Sequence, residues 1–274
     1  MSKPNFKDTL PWPPECTSQQ QGDYKQILDA NRSTLAAFIA SEKLPESYYA
    51  VLEQQILPLS VWLLMELRGF QHSSHHCPII GITGAQGSGK TTLTSALSMV
   101  LGLLGVRRCT LSIDDFYLTK SARQQLGLSV HPLLATRGVP GTHEIALLDS
   151  TIEQLLSATD QSKTAYPRFN KATDDRFTES AQNEFVGRPD MILLEGWCIG
   201  ARAENADSLL QPINILESDE DPDAIWRNYV NDQLAGDYAA LFKKIDLQVF
   251  LAVASMDVVF KQRALQEQKL RDTH

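Results

Sequence analysis

Apolar residues recur along this chain in two rhythms. From Asp23 the spacing is helical: Tyr24, Ile27, Leu28, Leu35, Phe38 and Ile39 fall on one face at three- and four-residue intervals. A second helical pattern starts near Pro45, carries Leu52, Ile56, Leu59, Leu63 and Leu67, and is expected to close at Gly69. After it the rhythm changes to short continuous apolar runs at 78–83, 108–113, 191–194 and 247–253, the pattern of strands buried on both faces. Helical windows at 90–104, 145–156 and 222–245 separate these runs. Alternation of this kind predicts an α/β fold, a parallel sheet with helices on both faces, preceded by a helical segment.

Length and charge narrow the picture. The 274 residues are roughly two domain-equivalents, and they divide into a Pro- and Gln-rich lead-in (1–22, expected to be poorly ordered), a helical segment (23–76) and the alternating region (77–274). A net charge of −8 makes binding to nucleic acid or an anionic membrane a poor fit. The first 14 residues hold no apolar run of signal-peptide length, and the apolar stretch at 56–67, about 12 residues, is too short to span a bilayer. Cys16, Cys77, Cys109 and Cys198 are scattered and read as reduced, buried thiols, which places the protein in the cytoplasm. The tract Gln71–Cys77 holds His72, His75, His76 and Cys77, but its spacing matches no standard zinc pattern, so it reads as a solvated linker. No pattern marks an oligomeric state.

The first apolar run leads directly into chemistry. Gly84, Ala85, Gln86, Gly87, Ser88, Gly89, Lys90, Thr91 and Thr92 follow it and open the next helix, fitting G-x-x-x-x-G-K-[ST] in the context that motif requires. Glycines at 84, 87 and 89 let successive N–H groups turn around a β-phosphate, and the helix directs its positive end at the same anion. Lys90 is suited to the β- and γ-phosphates, and Thr91 to Mg²⁺. The chain is expected to bind ATP with Mg²⁺.

Two more runs end in carboxylates. The second is followed by Asp114, Asp115, Phe116 and Tyr117, and the carboxyl ends of parallel strands border the ligand crevice. In extended backbone two adjacent carboxylates diverge, so one faces the reacting centre and the other a second partner. Asp114 reads as general base or as partner of a Mg²⁺-bound water. The run at 191–194 ends in Glu195, Gly196 and Trp197, with Glu195 suited to a Mg²⁺ water or to orienting the second substrate. Two loops punctuated by Gly, Pro or charge supply cations and polar groups: Arg137 to Glu144, with His143, and Arg168 to Arg176, with Lys171. They suit a carboxylate-bearing acceptor. A nucleoside acceptor would instead use Phe116 or Tyr117 as a stacking slot.

In order along the chain, GAQGSGKTT, SIDDFYLT, RGVPGTHE, PRFNKATDDR and LLEGW closely resemble the P-loop glycerate 3-kinases, within the wider group of uridine kinase, pantothenate kinase and phosphoribulokinase. The resemblance runs from about Leu57 to the C-terminus and implies a P-loop NTPase fold of the nucleoside-kinase kind. It implies an ATP-dependent kinase that phosphorylates a small molecule, D-glycerate, to 3-phosphoglycerate, with Asp114 as catalytic base. It also implies an arginine-bearing lid, for which Lys261 and Arg263 are the candidates, and an acceptor site drawn from Asp115, Tyr117, Arg137, His143, Lys171, Arg176 and Glu195. Other readings are a kinase for a nucleoside, pantothenate or another metabolite, and a nucleotide-dependent regulatory protein with no acceptor. Asn170 stands where the family usually has Asp, and relatives run on beyond the lid helix where this chain stops at His274.

Overall fold

A computed structural model of the chain describes residues 10–74, 76–178 and 182–253. Four parallel strands form the central sheet: β1 (Ile79–Gly84), β2 (Arg108–Ser112), β7 (Met191–Glu195) and β8 (Leu247–Leu251), in the order β2-β7-β1-β8. The two inner strands, β1 and β7, are buried at every position, which is why they read as unbroken apolar runs. β2 alternates between half-buried and buried, and β8 between half-buried and exposed. Among the described residues β8 is therefore an edge strand rather than the fully buried one its composition suggests, and Phe250 is 69% exposed on it.

Each face of the sheet has its own core. On one, Ile80, Ile82, Met191 and Leu193 pack with Leu97, Val100 and Leu101 of α5 (Lys90–Leu103), and beyond α5 with Leu28, Leu35, Leu52, Leu57 and Val61 of the N-terminal helices. On the other, Ile79, Cys109, Leu111, Ile192 and Leu194 pack with Leu148, Ile152 and Leu155 of α7 (Ile145–Ser157) and with Tyr238 and Leu241. The N-terminal helices thus share one core with the phosphate-loop helix. Truncating Leu97 to Ala in that core would cost about 2–5 kcal/mol.

The N-terminal layer departs from its expected boundaries. The first helix, α1 (Ser18–Ala30), begins inside the expected lead-in because Thr17 and Gln20 form a capping box. Trp12 and Cys16 pack into the core, so the segment from residue 10 onward is ordered. A break at Asn31 divides the first pattern into α1 and α2 (Arg32–Ser41). The second pattern forms α3 (Tyr48–Val51), a π turn (Leu52–Ile56) and α4 (Leu57–Ser74). Pro58 has no N–H for the carbonyl of Gln54, and Leu10 N–H takes that carbonyl instead at 3.1 Å.

Gly69 does not end α4, which runs on to Ser74 and takes in part of the expected linker. The apolar stretch expected at 56–67 therefore sits inside a longer unbroken helical run. Tyr48–Gln71, a 24-residue run holding an 18-residue window of mean hydropathy 1.2, is long and apolar enough to cross a membrane by length and composition alone. Half of that window is buried here, in the position of a core helix. Of the histidine tract, Cys77 is buried and His76 Nε2 meets the Asp246 carboxylate at 2.9 Å, while His75 lies outside the described residues.

Unrecognised in the pattern were helices α6 (Lys120–Ser129) and α8 (Ile215–Glu220) and two small antiparallel pairs, β3 (Lys163–Tyr166) with β6 (Asn183–Val186), and β4 (Phe169–Asn170) with β5 (Asp175–Arg176). Of the long window at 222–245, α9 (Ile225–Gln233), a π turn (Leu234–Tyr238) and α10 (Ala239–Phe242) form.

Candidate active site

The strand order brings three sequence-distant carboxyl ends together. Ser112 at the end of β2 lies in register with Glu195 of β7, and Glu195 with Ile82 of β1, just before the glycine-rich loop. Gly87 and Gly89 adopt φ of 78° and 89°, left-handed values that suit glycine. At Gly84 a Cβ would stand 2.7 Å from the Leu251 carbonyl oxygen, so only glycine lets the loop leave β1 this close to β8. Lys90 folds back across the loop and donates to the Ala85 carbonyl at 2.9 Å. Burial pulls its pKa down, against the opposing pull of Glu195 and Asp114. The Ser88 hydroxyl is buried with no hydrogen-bond partner among the described residues.

A cavity of about 460 Å³ opens over this loop. It is lined by Gln86, Gly87, Gly89, Lys90, Thr91 and Thr92 of the loop and the start of α5, and by Asp114, Tyr117, Arg137, Gly138, Lys171, Glu195, Gly196 and Trp197. Glu195 Oε1 accepts from the Ser112 hydroxyl at 2.8 Å and from the Thr91 hydroxyl at 3.4 Å. Burial pushes the Glu195 carboxyl up, and the Ser112 hydrogen bond opposes that. Thr91, Glu195 and Asp114 make a set of oxygen donors of the kind a hard divalent cation takes. The bare, positive helix end and the orphan Ser88 hydroxyl fit a polyphosphate.

The two aspartates diverge, although the backbone there is a 3₁₀ turn (Ile113–Phe116) rather than extended. Asp114 lines the cavity and pairs with Lys171 Nζ at 3.1 Å. Asp115 turns away and accepts the Phe169 N–H at 3.0 Å, anchoring the β4–β5 hairpin, and burial raises its pKa. Arg137 reaches the cavity while its Nη1 holds Asp174 at 3.0 Å and its guanidinium lies over the Phe169 ring.

Asp115, His143 and Arg176, expected to touch the acceptor, are not among the lining residues. His143 is buried behind Tyr117, their rings stacked at 4.2 Å, with Nδ1 2.7 Å from the Tyr238 hydroxyl. Burial pulls its pKa down to about 4, so it is neutral. Arg176 donates to the Tyr117 carbonyl at 2.7 Å and to Glu144 at 2.6 Å, and so fastens the turn that carries Asp114. Phe116 is fully buried, so of these two neighbours only Tyr117 lines the cavity. Lys261 and Arg263 lie outside the described residues.

Trp197, Gly138 and Arg123 were missed. Trp197 closes the cavity, and its indole binds Gly138. Arg123 is fully buried on α6, and its Nη2 holds Asp174, in the hairpin turn, at 3.1 Å. An aromatic residue directly after a strand-end Glu-Gly was the available signal for Trp197; an arginine in a short helix gives none.

The phosphoribulokinase/uridine kinase family matches residues 79–210. An uncharacterized kinase of Schizosaccharomyces pombe, mug58, is 31% identical over 206 residues, covering 70% of this chain and 71% of its own. The chloroplastic D-glycerate 3-kinase of Arabidopsis thaliana is 32% identical over 200 residues, 70% of this chain but 41% of that longer protein. In fold, the solved D-glycerate 3-kinase of Cryptococcus neoformans var. grubii superposes with a TM-score of 0.65 at 24% identity, over 80% of each chain. With its glycine cradle between β1 and α5 and its strand-end carboxylates, this chain is a P-loop kinase of the phosphoribulokinase/uridine kinase family.

Proposed function

We propose that this kinase transfers the γ-phosphoryl group of ATP to the terminal hydroxyl of D-glycerate, giving 3-phosphoglycerate. The observation that carries the reading is the mixed lining of the cavity. Phosphate-binding groups of the glycine-rich loop share it with Asp114 and two cations, Arg137 and Lys171. An acceptor with a carboxylate would use those cations and present its far hydroxyl to Asp114.

In this reading the backbone N–H groups of 84–91 and Lys90 hold the β- and γ-phosphates, and Thr91 and Glu195 hold Mg²⁺. When bound, Mg²⁺ neutralises charge on the phosphate oxygens. Asp114 takes the hydroxyl proton as the acceptor oxygen bonds to the γ-phosphorus and the bond to the β,γ-bridging oxygen breaks. Arg137 and Lys171 bind the acceptor, Tyr117 shapes its wall, and Asp115, His143 and Arg176 hold that wall in place. The four cysteines are free and buried, in keeping with a cytoplasmic protein.

The test is one ADP-release assay comparing kcat/KM for D-glycerate, glycerol, uridine and pantothenate. D-Glycerate is expected to lead, with glycerol worse by about 1.5–3 kcal/mol for the lost charge-assisted contact. If uridine leads, or if D-glycerate gives no rate above the blank, the acceptor is not glycerate.

A further inference from the structure

Lys171 makes a contact that acceptor binding alone does not explain. Its Nζ stands 3.1 Å from Asp114 Oδ2, and among the described residues it is the one salt-bridge partner of that carboxylate. The lysine therefore occupies an oxygen that a general base needs for its substrate's proton. Its backbone sits in a hydrogen-bonded turn. The Lys171 carbonyl accepts from Arg137 Nη1 at 3.4 Å, and Asn170 Oδ1 accepts the N–H groups of Ala172 and Thr173 at 3.0 and 3.4 Å. Its side chain is free to move, being 64% exposed on a flexible four-carbon stem. An ion pair this exposed is weakly held and exchanges readily with a competing anion.

Arg137 stands beside it with a different commitment, since its Nη1 is tied to Asp174 and to the Lys171 carbonyl. Of these two cations lining the cavity, then, one is anchored and one can swing.

We infer that Lys171 couples ATP use to acceptor binding. In the acceptor-free enzyme it holds Asp114 and keeps that carboxylate from activating water. An incoming carboxylate draws the ammonium away and releases Asp114 to take the proton of the attacking hydroxyl. The inference rests on Asp114 being the base of the kinase proposed above. Without the lysine, the reaction open to the enzyme is hydrolysis. Water oxygen bonds to the γ-phosphorus, the bond to the β,γ-bridging oxygen breaks, Asp114 takes the water proton, and ADP and phosphate leave.

The experiment measures ADP and phosphate release with Mg²⁺-ATP and no acceptor, for the wild type, Lys171→Met, Lys171→Arg and Lys171→Met combined with Asp114→Asn. Lys171→Met is expected to raise basal hydrolysis about tenfold, within the roughly 10²–10⁴-fold a general base supplies. Lys171→Arg, which keeps a cation beside Asp114, should raise it less than Lys171→Met does, and the double variant should lose the increase. D-Lactate, which keeps the carboxylate but lacks the terminal hydroxyl, should stimulate hydrolysis in the wild type and not in Lys171→Met. A folded Lys171→Met protein that hydrolyses ATP at or below the wild-type rate overturns the inference, and would mean that the lysine serves the transferring phosphoryl group instead. Phosphorylation of D-glycerate with that outcome leaves the proposed function standing. Raised hydrolysis in Lys171→Met without phosphorylation of D-glycerate does the reverse.

Discussion

The indole N–H of Trp197 donates to the backbone carbonyl of Gly138 at 3.0 Å, while the Trp197 carbonyl accepts from the Thr83 hydroxyl at 3.1 Å. One residue thereby ties the strand that feeds the phosphate loop to the loop that carries Arg137. Replacing it with Phe keeps most of the apolar bulk and deletes the first bond, worth about 0.5–1.5 kcal/mol. Trp197→Phe should raise the acceptor KM roughly 3- to 10-fold and leave the ATP KM within about twofold. Equal rises in both constants would show that the tie serves the phosphate loop instead.

In the proposed mechanism Lys90→Ala removes the cation nearest the transferring phosphoryl group. Turnover should fall by at least about 10². Its ammonium is buried at a cost, so the denaturant midpoint of the variant should equal or exceed that of the wild type. Wild-type turnover by direct ADP measurement would remove Lys90 from the chemistry.

Asp114 and Asp115 are neighbours with opposite surroundings. Asp114→Asn should lower kcat by about 10²–10⁴ with ATP affinity little changed. Asp115→Asn should act through the hairpin that Asp115 anchors, raising acceptor KM more than it lowers kcat. Steady-state kinetics of both variants decide the assignment, and the reverse ranking would exchange their roles.

His143 gives a pH signature. Its pKa in the folded protein, about 4, lies below the ordinary 6.5, so between these values the unfolded chain binds more protons. The stability it contributes is full above pH 6.5 and is lost as pH falls toward 4. At pH 5 the loss relative to pH 7.5 should be about 2 kcal/mol. Urea unfolding of the wild type and His143→Phe at both values should show that much less acid sensitivity in the variant. Equal sensitivity would mean His143 is protonated in place.

The parts of this molecule that could be read from the chain are those written in local spacing. The inner strands announced themselves because burial on both faces demands unbroken apolar runs, and the phosphate loop because its glycines and Lys90 sit within a few residues. What escaped depends on distant partners. Gly69 looks like a helix end, yet α4 passes through it. The division of Asp114 and Asp115 was anticipated, but the partner of Asp115, the Phe169 N–H, lies 54 residues away. His143 has the chemistry of a substrate ligand. Its burial is decided by Tyr117 and Tyr238, and a polar residue gives no periodic sign of being inside. The hairpin strands β4 and β5 are two residues each, too short for any period to show.

The helical layer over α5 bears on how the protein responds to its ligands. With the sheet on one side and α1 and α4 on the other, the helix that follows the phosphate loop has no room to tilt. The cradle is therefore assembled before nucleotide arrives, and binding there loses little conformational entropy. Its amides should exchange with solvent deuterium only through global unfolding. The hairpin turn at 171–174 is exposed at three of its four residues, and its backbone should exchange fastest in the empty enzyme and slow when acceptor binds. Order in this kinase is thus supplied to ATP by the fold and to the second substrate by the substrate itself.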